Sequence, residues 1–292
     1  MALSLAKWCA KYAEIVTTRG LMPATAQEKI SHAQGLLAGI GDKALKKIRP
    51  VHVARAIHAV WAGGHPAKAR RMLSVARDLF TEAVINGYVN ANPAAPIRPL
   101  PNRVRRARLS LDHWRLTQAT LETEALPWRR LFAILALVTG QRRGDLLKMR
   151  FDHVWDKHLH IVQEKTGERI ALPLSLRLRA VDTSLREIIA RCRDYGPPGD
   201  TLIRKNNTGD PLTRSSLTKA FSAAFRRAVV WEREDRKPPS LQECRSLAER
   251  LYSAQGIDTQ ILLGHRRAQT TALYHDDRGL DREAGVWRTL KI

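Results

Sequence analysis

The sequence predicts a mainly α-helical protein of two domains, with one small β-hairpin in the second. Three observations carry that expectation. Apolar residues recur at helical spacing through most of the chain, as in Met72, Leu73, Val75, Ala76, Leu79, Phe80 and Val84. Period-two alternation is confined to residues 154–174, where "HLHIVQ" and "RIALPL" flank "EKTGE". The stretch "NANPAAPIRPLPNRVRRAR", residues 90–108, then breaks every periodicity with four prolines.

Taken in order, residues 1–89 read as a helical domain, with helices over 3–18, 23–38, 51–62 and 66–87. The second of these enters through Pro23 and Thr25, and the glycine turns "AGIGDK" and "AGGHP" separate the later ones. Residues 90–108 read as a basic, proline-rich interdomain linker, made cationic by Arg98, Arg103, Arg105, Arg106 and Arg108. The second domain, 109–292, is expected to hold helices over 110–124, 127–138, 177–193, 213–231, 240–253 and 256–263, around a hairpin with Lys165 at its tip. Ser240 is the expected N-cap of "SLQECRSLAERLY", which places Gln242 and Arg245 near one another on one face.

A net charge of +22 over 292 residues implies a polyanionic partner, and nucleic acid leads the candidates. A membrane surface is the rival, but no apolar run approaches the roughly 20 residues needed to span a bilayer, and no signal peptide opens the sequence. A ribosomal or nucleoid protein would have a similar charge. Residues 1–108 carry 18 Lys and Arg against 5 Asp and Glu, a net of +13; the remainder carries 32 against 23, a net of +9. The smaller portion is thus the more basic, which suits a non-catalytic hold on phosphate backbone. Lys68, Arg70 and Arg71 on one helix, and Arg103, Arg105 and Arg106 in the linker, are the candidate DNA contacts. Cys9, Cys192 and Cys244 are scattered singletons, indicating neither a disulfide framework nor a zinc site and pointing to a reducing, cytoplasmic setting.

The motifs for familiar cofactor chemistry are missing. There is no H-E-x-x-H, no Cys/His ligand spacing, no G-x-x-x-x-G-K-[ST] and no G-x-S-x-G. Basic residues instead stand at structural turning points: Arg142 after "TG", Lys165 at the hairpin turn, Arg245 in the 240s helix, and His265 after Gly264, with Tyr274 nine residues later. Two guanidiniums can hold a phosphodiester and neutralise its transition state. A lysine can give a proton to a departing alkoxide, and a tyrosine oxygen can attack phosphorus and store the bond covalently.

In this order these residues resemble the tyrosine recombinase (phage integrase) family, and within it the lambda-type integrases. "TGQRRGDLLKM" resembles the first-arginine box, "QEKTGERIALPL" the β2–β3 hairpin, "QECRSLAERLY" the H-x-x-R box and "LLGHRRAQTTALYHDDRG" the closing box. The resemblance implies a helical core-binding domain followed by an α+β catalytic domain, clamped around double-stranded DNA. It assigns Arg142 and Arg245 to the scissile phosphate, with Asp145 supporting the first. It makes Lys165 the general acid, His265 a hydrogen bond to the phosphate and Tyr274 the nucleophile. No cofactor is implied. The implied partners are attachment or core sites in DNA, a homo-tetramer in the synapse formed from a protein monomeric in solution, and DNA-bending accessory factors. The segment after Tyr274 resembles the tail through which protomers touch, with Val286 and Trp287 as apolar anchors.

Two departures stand out. Gln242 occupies the position of the H-x-x-R histidine, and a glutamine hydrogen-bonds without carrying a proton at neutral pH. The sequence also begins at what resembles the core-binding domain, whereas lambda-type enzymes carry an arm-type DNA-binding domain ahead of it. The expected activity is site-specific recombination through a 3′-phosphotyrosine and a Holliday junction, for integration or excision of a mobile element. A DNA-binding accessory protein with impaired catalysis is the alternative that Gln242 raises, and a type IB topoisomerase shares the tyrosine chemistry.

Overall fold

The computed structural model describes residues 3–101 and 106–275, and the chain divides into two compact units, 1–104 and 105–292. The first unit is four helices: α1 (Leu5–Thr18), α2 (Pro23–Ile40), α3 (Pro50–Ala62) and α4 (Pro66–Ile85). Proline opens three of them, where its missing N–H and fixed φ cost nothing. Leu5, Trp8, Tyr12 and Val16 form one buried stripe of α1 and meet Leu36, Ile57, Leu73, Ala76 and Phe80 from the other helices. A side chain at Gly39 would meet the Ala56 methyl at 2.8 Å, so α2 and α3 pack almost backbone to backbone there.

Residues 90–101 return onto this unit. Ala94 is fully buried, and Arg77 reaches from α4 to the carbonyls of Ala94 and Ile97. Lys68 and Arg70 are exposed on the first turns of α4, whereas the exposed Arg71 pairs with Glu28 at 2.8 Å. Arg103 and Arg105 lie outside the described residues, as does the segment after His275 that holds Val286 and Trp287.

The second unit is α5 (Leu111–Glu122), α6 (Pro127–Thr139), the single turn α7 (Arg143–Leu146), α8 (Leu185–Arg193), α9 (Arg214–Ala228), α10 (Glu243–Ala254), α11 (Thr259–Leu263) and α12 (Ala268–His275). Helix α6 is buried on nearly all sides and touches α5, α8, α9 and α10. A three-stranded antiparallel sheet, β1 (Val154–Trp155), β2 (His158–Val162) and β3 (Arg169–Pro173), is the hairpin expected from alternation. Its register pairs Val162 with Arg169, and Leu159, Ile161, Ile170 and Leu172 face the core.

Local chemistry moved several element boundaries. Expected helix 177–193 starts only at Leu185, because Ser184 and Glu187 form a capping box there. The eight residues before it make a two-stranded ladder, β4 (Arg177–Leu178) with β5 (Thr183–Ser184), turned by Asp182 at φ +46°. Ser240 is not the N-cap of α10: its carbonyl accepts from Glu243 N at 2.8 Å in a tight turn, and the helix proper follows Gln242. No sequence pattern marked α12. Among the described residues, no helix is long and apolar enough to cross a membrane.

Candidate active site

The site is assembled on the C-terminal ends of two helices. The last carbonyls of a helix lack intrahelical partners and carry the negative end of its dipole. Helix α6 ends at Gly140 in the left-handed region (φ +64°), and α11 ends at Gly264 likewise (φ +61°). The left-handed φ disfavours any side chain at Gly264, and a Cβ there would also displace Ile170 Cδ1, 2.7 Å away on β3.

Arg245, from α10, is 1% exposed and inserts between these two ends. Its Nη1 donates to the Gly140 carbonyl at 2.9 Å, and its Nη2 to the Leu263 carbonyl and to His265 Nε2, the latter at 3.0 Å. Burial, then the charge of Arg142, pushes the guanidinium down to about 10, which leaves it charged at neutral pH. Its buried Nε has no hydrogen-bond partner among the described residues.

The arginine fixes the tautomer of His265. A guanidinium only donates, so Nε2 accepts, and the ring proton resides on Nδ1 and is given to Thr271 Oγ1 at 2.9 Å. Burial, and the charges of Arg245 and Arg142, push the imidazole down to about 4. Its folded value thus lies below its ordinary 6.5, so the unfolded chain takes up a proton that the folded chain refuses. Stability should fall as pH drops from about 6.5 toward 4, by up to roughly 3 kcal/mol from this ring. Urea unfolding at pH 7 and pH 4.5 measures the slope; an unaltered slope in His265→Gln would assign it to other groups.

Arg142 stands at the N-cap of α7 and donates to Gln163 Oε1 at 2.7 Å; its nearest contact to Asp145 Oδ2 is 3.9 Å. Asp145, 2% exposed, accepts from Glu164 N at 2.9 Å and thereby ties α7 to the hairpin tip. Gln163 is fully buried and gives its amide N–H groups to Gln141 Oε1 and the Leu263 carbonyl, each at 2.8 Å. The Leu263 carbonyl therefore receives both Gln163 and Arg245, and joins the supports of the two arginines.

Tyr274, on α12, is half-buried with its ring centroid 5.2 Å from that of His265 and 5.7 Å from the Arg245 guanidinium carbon. Ser246 Oγ donates to its carbonyl at 3.1 Å. Arg108 lies 5.8 Å over the same ring, donates to the Leu273 carbonyl, and pairs with Glu243 at 3.0 Å. At 4% exposure Arg108 is an internal strut of α12, not a solvent-facing charge of the linker. Exposed Arg106 donates to the Pro238 carbonyl at 2.8 Å.

The structure thus brings Arg142, Asp145, Arg245, His265 and Tyr274 into one connected cluster. Lys165 is exposed at the turn between β2 and β3, without a hydrogen bond or ion pair to another described residue. Gln242, half-buried one turn before Arg245, accepts from Arg245 N through its carbonyl at 3.3 Å, and its side chain makes no hydrogen bond to another described residue. Sequence reasoning passed over Gln141, Gln163, Arg108, Glu243 and Thr271. The two glutamines lie within the quoted motifs, and that placement was their one available signal. Among the described residues, no group of three or more His, Cys, Asp or Glu is placed to hold a metal ion.

Comparison with known proteins shows the family of the chain. The phage integrase family model matches residues 112–279, and the phage integrase central domain model matches residues 5–99. The integrase of Enterobacteria phage P21 is 38% identical over 293 residues, covering 96% of this chain and 76% of that protein. Prophage integrase IntE of Escherichia coli (strain K12) is 37% identical over 294 residues, covering 95% and 76%. A crystal structure of lambda integrase as a dimer bound to a COC′ core site superposes with a TM-score of 0.91 at 31% identity, covering 99% of this chain and 100% of that one. Lambda integrase as a tetramer bound to a Holliday junction gives a TM-score of 0.91 at 30% identity, covering 99% and 81%. The chain belongs to the phage integrase family and is a tyrosine recombinase, an enzyme of site-specific DNA recombination.

Proposed function

We propose that this chain cleaves and rejoins double-stranded DNA at core-type sites, with Tyr274 as nucleophile, to integrate or excise a mobile element. The observation that carries this reading is the charged guanidinium of Arg245 beside the half-buried Tyr274 ring, 5.7 Å from its centre. An anionic phosphate pairs with such a cation, and Arg142 has spent one N–H on Gln163 and keeps others for the same anion. Tyr274 Oη then attacks phosphorus, forming a 3′-phosphotyrosine as the bond to the 5′-oxygen breaks. The Tyr274 proton passes to water, and Lys165 Nζ gives a proton to the leaving 5′-oxygen. Attack by the 5′-hydroxyl of a partner strand reverses the step. Two rounds pass through a Holliday junction within a tetramer, the assembly in which lambda integrase is seen. His265, with both ring nitrogens engaged, orients Arg245, and Asp145 holds the Arg142 turn to the Lys165 hairpin. Lys68 and Arg70 supply phosphate contacts from the first unit, and the setting is the cytoplasm of a bacterial host.

Covalent capture on a nicked suicide substrate tests the reading. A protein–DNA adduct at a 3′-phosphate is expected; binding without an adduct would favour the non-catalytic accessory role. Gln242→His tests the departure at this position. Glutamine does not titrate, so cleavage by the natural chain should lack a pH contribution from residue 242. The histidine variant should keep or raise the single-turnover rate and gain a new inflection near neutral pH. A large loss would show that the amide itself is fitted to the site.

A further inference from the structure

Lys165 presents a difficulty that the active-site cluster does not resolve. It is exposed at the hairpin tip and no described residue holds its ammonium, yet a proton donor must meet one oxygen within hydrogen-bond reach. A lysine side chain carries about 2 kcal/mol of rotamer entropy. Its aim therefore depends on how firmly its backbone is anchored.

The anchor is the preceding residue. Glu164 Oε2 pairs with Arg214 Nη2 from α9, and Oε1 with Lys148 Nζ, which follows α7, at 3.3 Å. Its own N–H donates to Asp145 Oδ1 at 2.9 Å, so backbone and carboxylate are tied to different elements. A Cβ on Gly144 would lie 2.7 Å from Glu164 Oε2 and 3.2 Å from Arg214 Nε, so the ion pair rests against bare backbone. Burial raises the Glu164 carboxyl, but the hydrogen bonds from Lys148 and Arg214 outweigh it and hold the group below its ordinary range, hence ionised. On the far stem of the tip, Glu168 pairs with Arg266 at 2.7 Å, next to His265. Two carboxylates beside a DNA-cleaving site oppose the approach of phosphate in a chain of net charge +22. Surface neutralisation alone gives no reason to keep them there.

We propose that Glu164 is a positioning residue for Lys165: clasped by Arg214 and Lys148, it fixes the hairpin tip so that Lys165 Nζ meets the departing 5′-oxygen. The inference rests on Lys165 being the proton donor proposed above. The step it serves forms the Tyr274 Oη–P bond and breaks the P–O5′ bond. The ammonium proton goes to O5′, and the Tyr274 proton goes to water. The pair is half-exposed, so its loss should alter aim more than stability.

The test compares two cleavage substrates under single turnover at saturating DNA. One has the ordinary 5′-oxygen at the scissile bond; in the other, a sulfur bridges at that atom and leaves as a thiolate that needs no proton donor. Glu164→Gln is expected to slow the oxygen substrate roughly tenfold to a hundredfold, as misplacement of a catalytic group by about 1 Å does. It should leave the sulfur substrate and the thermal midpoint nearly unchanged. Lys165→Ala should show the same selectivity more strongly. Glu164→Gln equally slow on both substrates, or unaffected on both, overturns the positioning role while Lys165→Ala stays selective. Lys165→Ala equally slow on both overturns the proton-donor assignment itself.

Discussion

Tyr274→Phe is expected to abolish the covalent protein–DNA adduct while leaving DNA affinity unchanged. The substitution removes one oxygen and keeps the ring. The contacts of that ring with Arg108, Arg245 and His265, at 5.8, 5.7 and 5.2 Å between centres, therefore survive. Helix α12 stays docked through main-chain carbonyls, which accept from Arg108 and Ser246 whatever the side chain. The thermal midpoint should accordingly move little. An adduct in the phenylalanine variant would reassign the nucleophile. The structure disfavours the nearest tyrosine in sequence, because Tyr252 is fully buried and its hydroxyl donates to the Val138 carbonyl at 2.8 Å.

The two arginines should separate when each is replaced by alanine. Both should lose cleavage by about a hundredfold to a thousandfold, the usual effect of removing one transition-state contact. Their stabilities should differ. Arg142 is partly exposed, and Gln163 Oε1 keeps Thr166 Oγ1 at 3.0 Å after the truncation, so Arg142→Ala should unfold at nearly the natural denaturant midpoint. Arg245→Ala strands the Gly140 carbonyl and His265 Nε2 in the interior, at about 1–3 kcal/mol for each unmet buried group. Chemical denaturation alongside single-turnover cleavage reads both effects. Equal stability loss in the two variants, or losses in DNA binding as large as those in cleavage, would refute the division of labour.

The sequence announced most of the fold because its signals were local. Proline at the first helical position marked α2 and α4, and alternation in "HLHIVQ" and "RIALPL" marked β2 and β3. The mistakes arose where local signals were silent or competed. Residues 177–184 carry apolar residues compatible with a helix, yet the capping box at Ser184 starts α8 later and Asp182 turns the chain back. "AQTTALYH" lacks an apolar stripe, and tertiary hydrogen bonds from Ser246 and Arg108 help hold it as α12.

The residues of the candidate site divide in the same way. Arg142, Arg245, His265 and Tyr274 were recognisable by type and order. Arg108 was not, because positive charge in a proline-rich stretch carries no information about burial against Glu243. The glutamine pair was equally hidden. Gln141 and Gln163 acquire their roles from a helix end 121 and 100 positions away along the chain, at Leu262 and Leu263.

The Leu263 carbonyl has a consequence for how this site can evolve. Being main chain, like the Gly140 carbonyl that also accepts from Arg245, it is a member of the hydrogen-bonded assembly that no replacement at its own position deletes. Variation at 263 can alter packing, but the acceptor that joins Gln163 to Arg245 persists with two lone pairs to give. Replacements at neighbouring positions can therefore occur without erasing the common reference point from which both guanidiniums are measured.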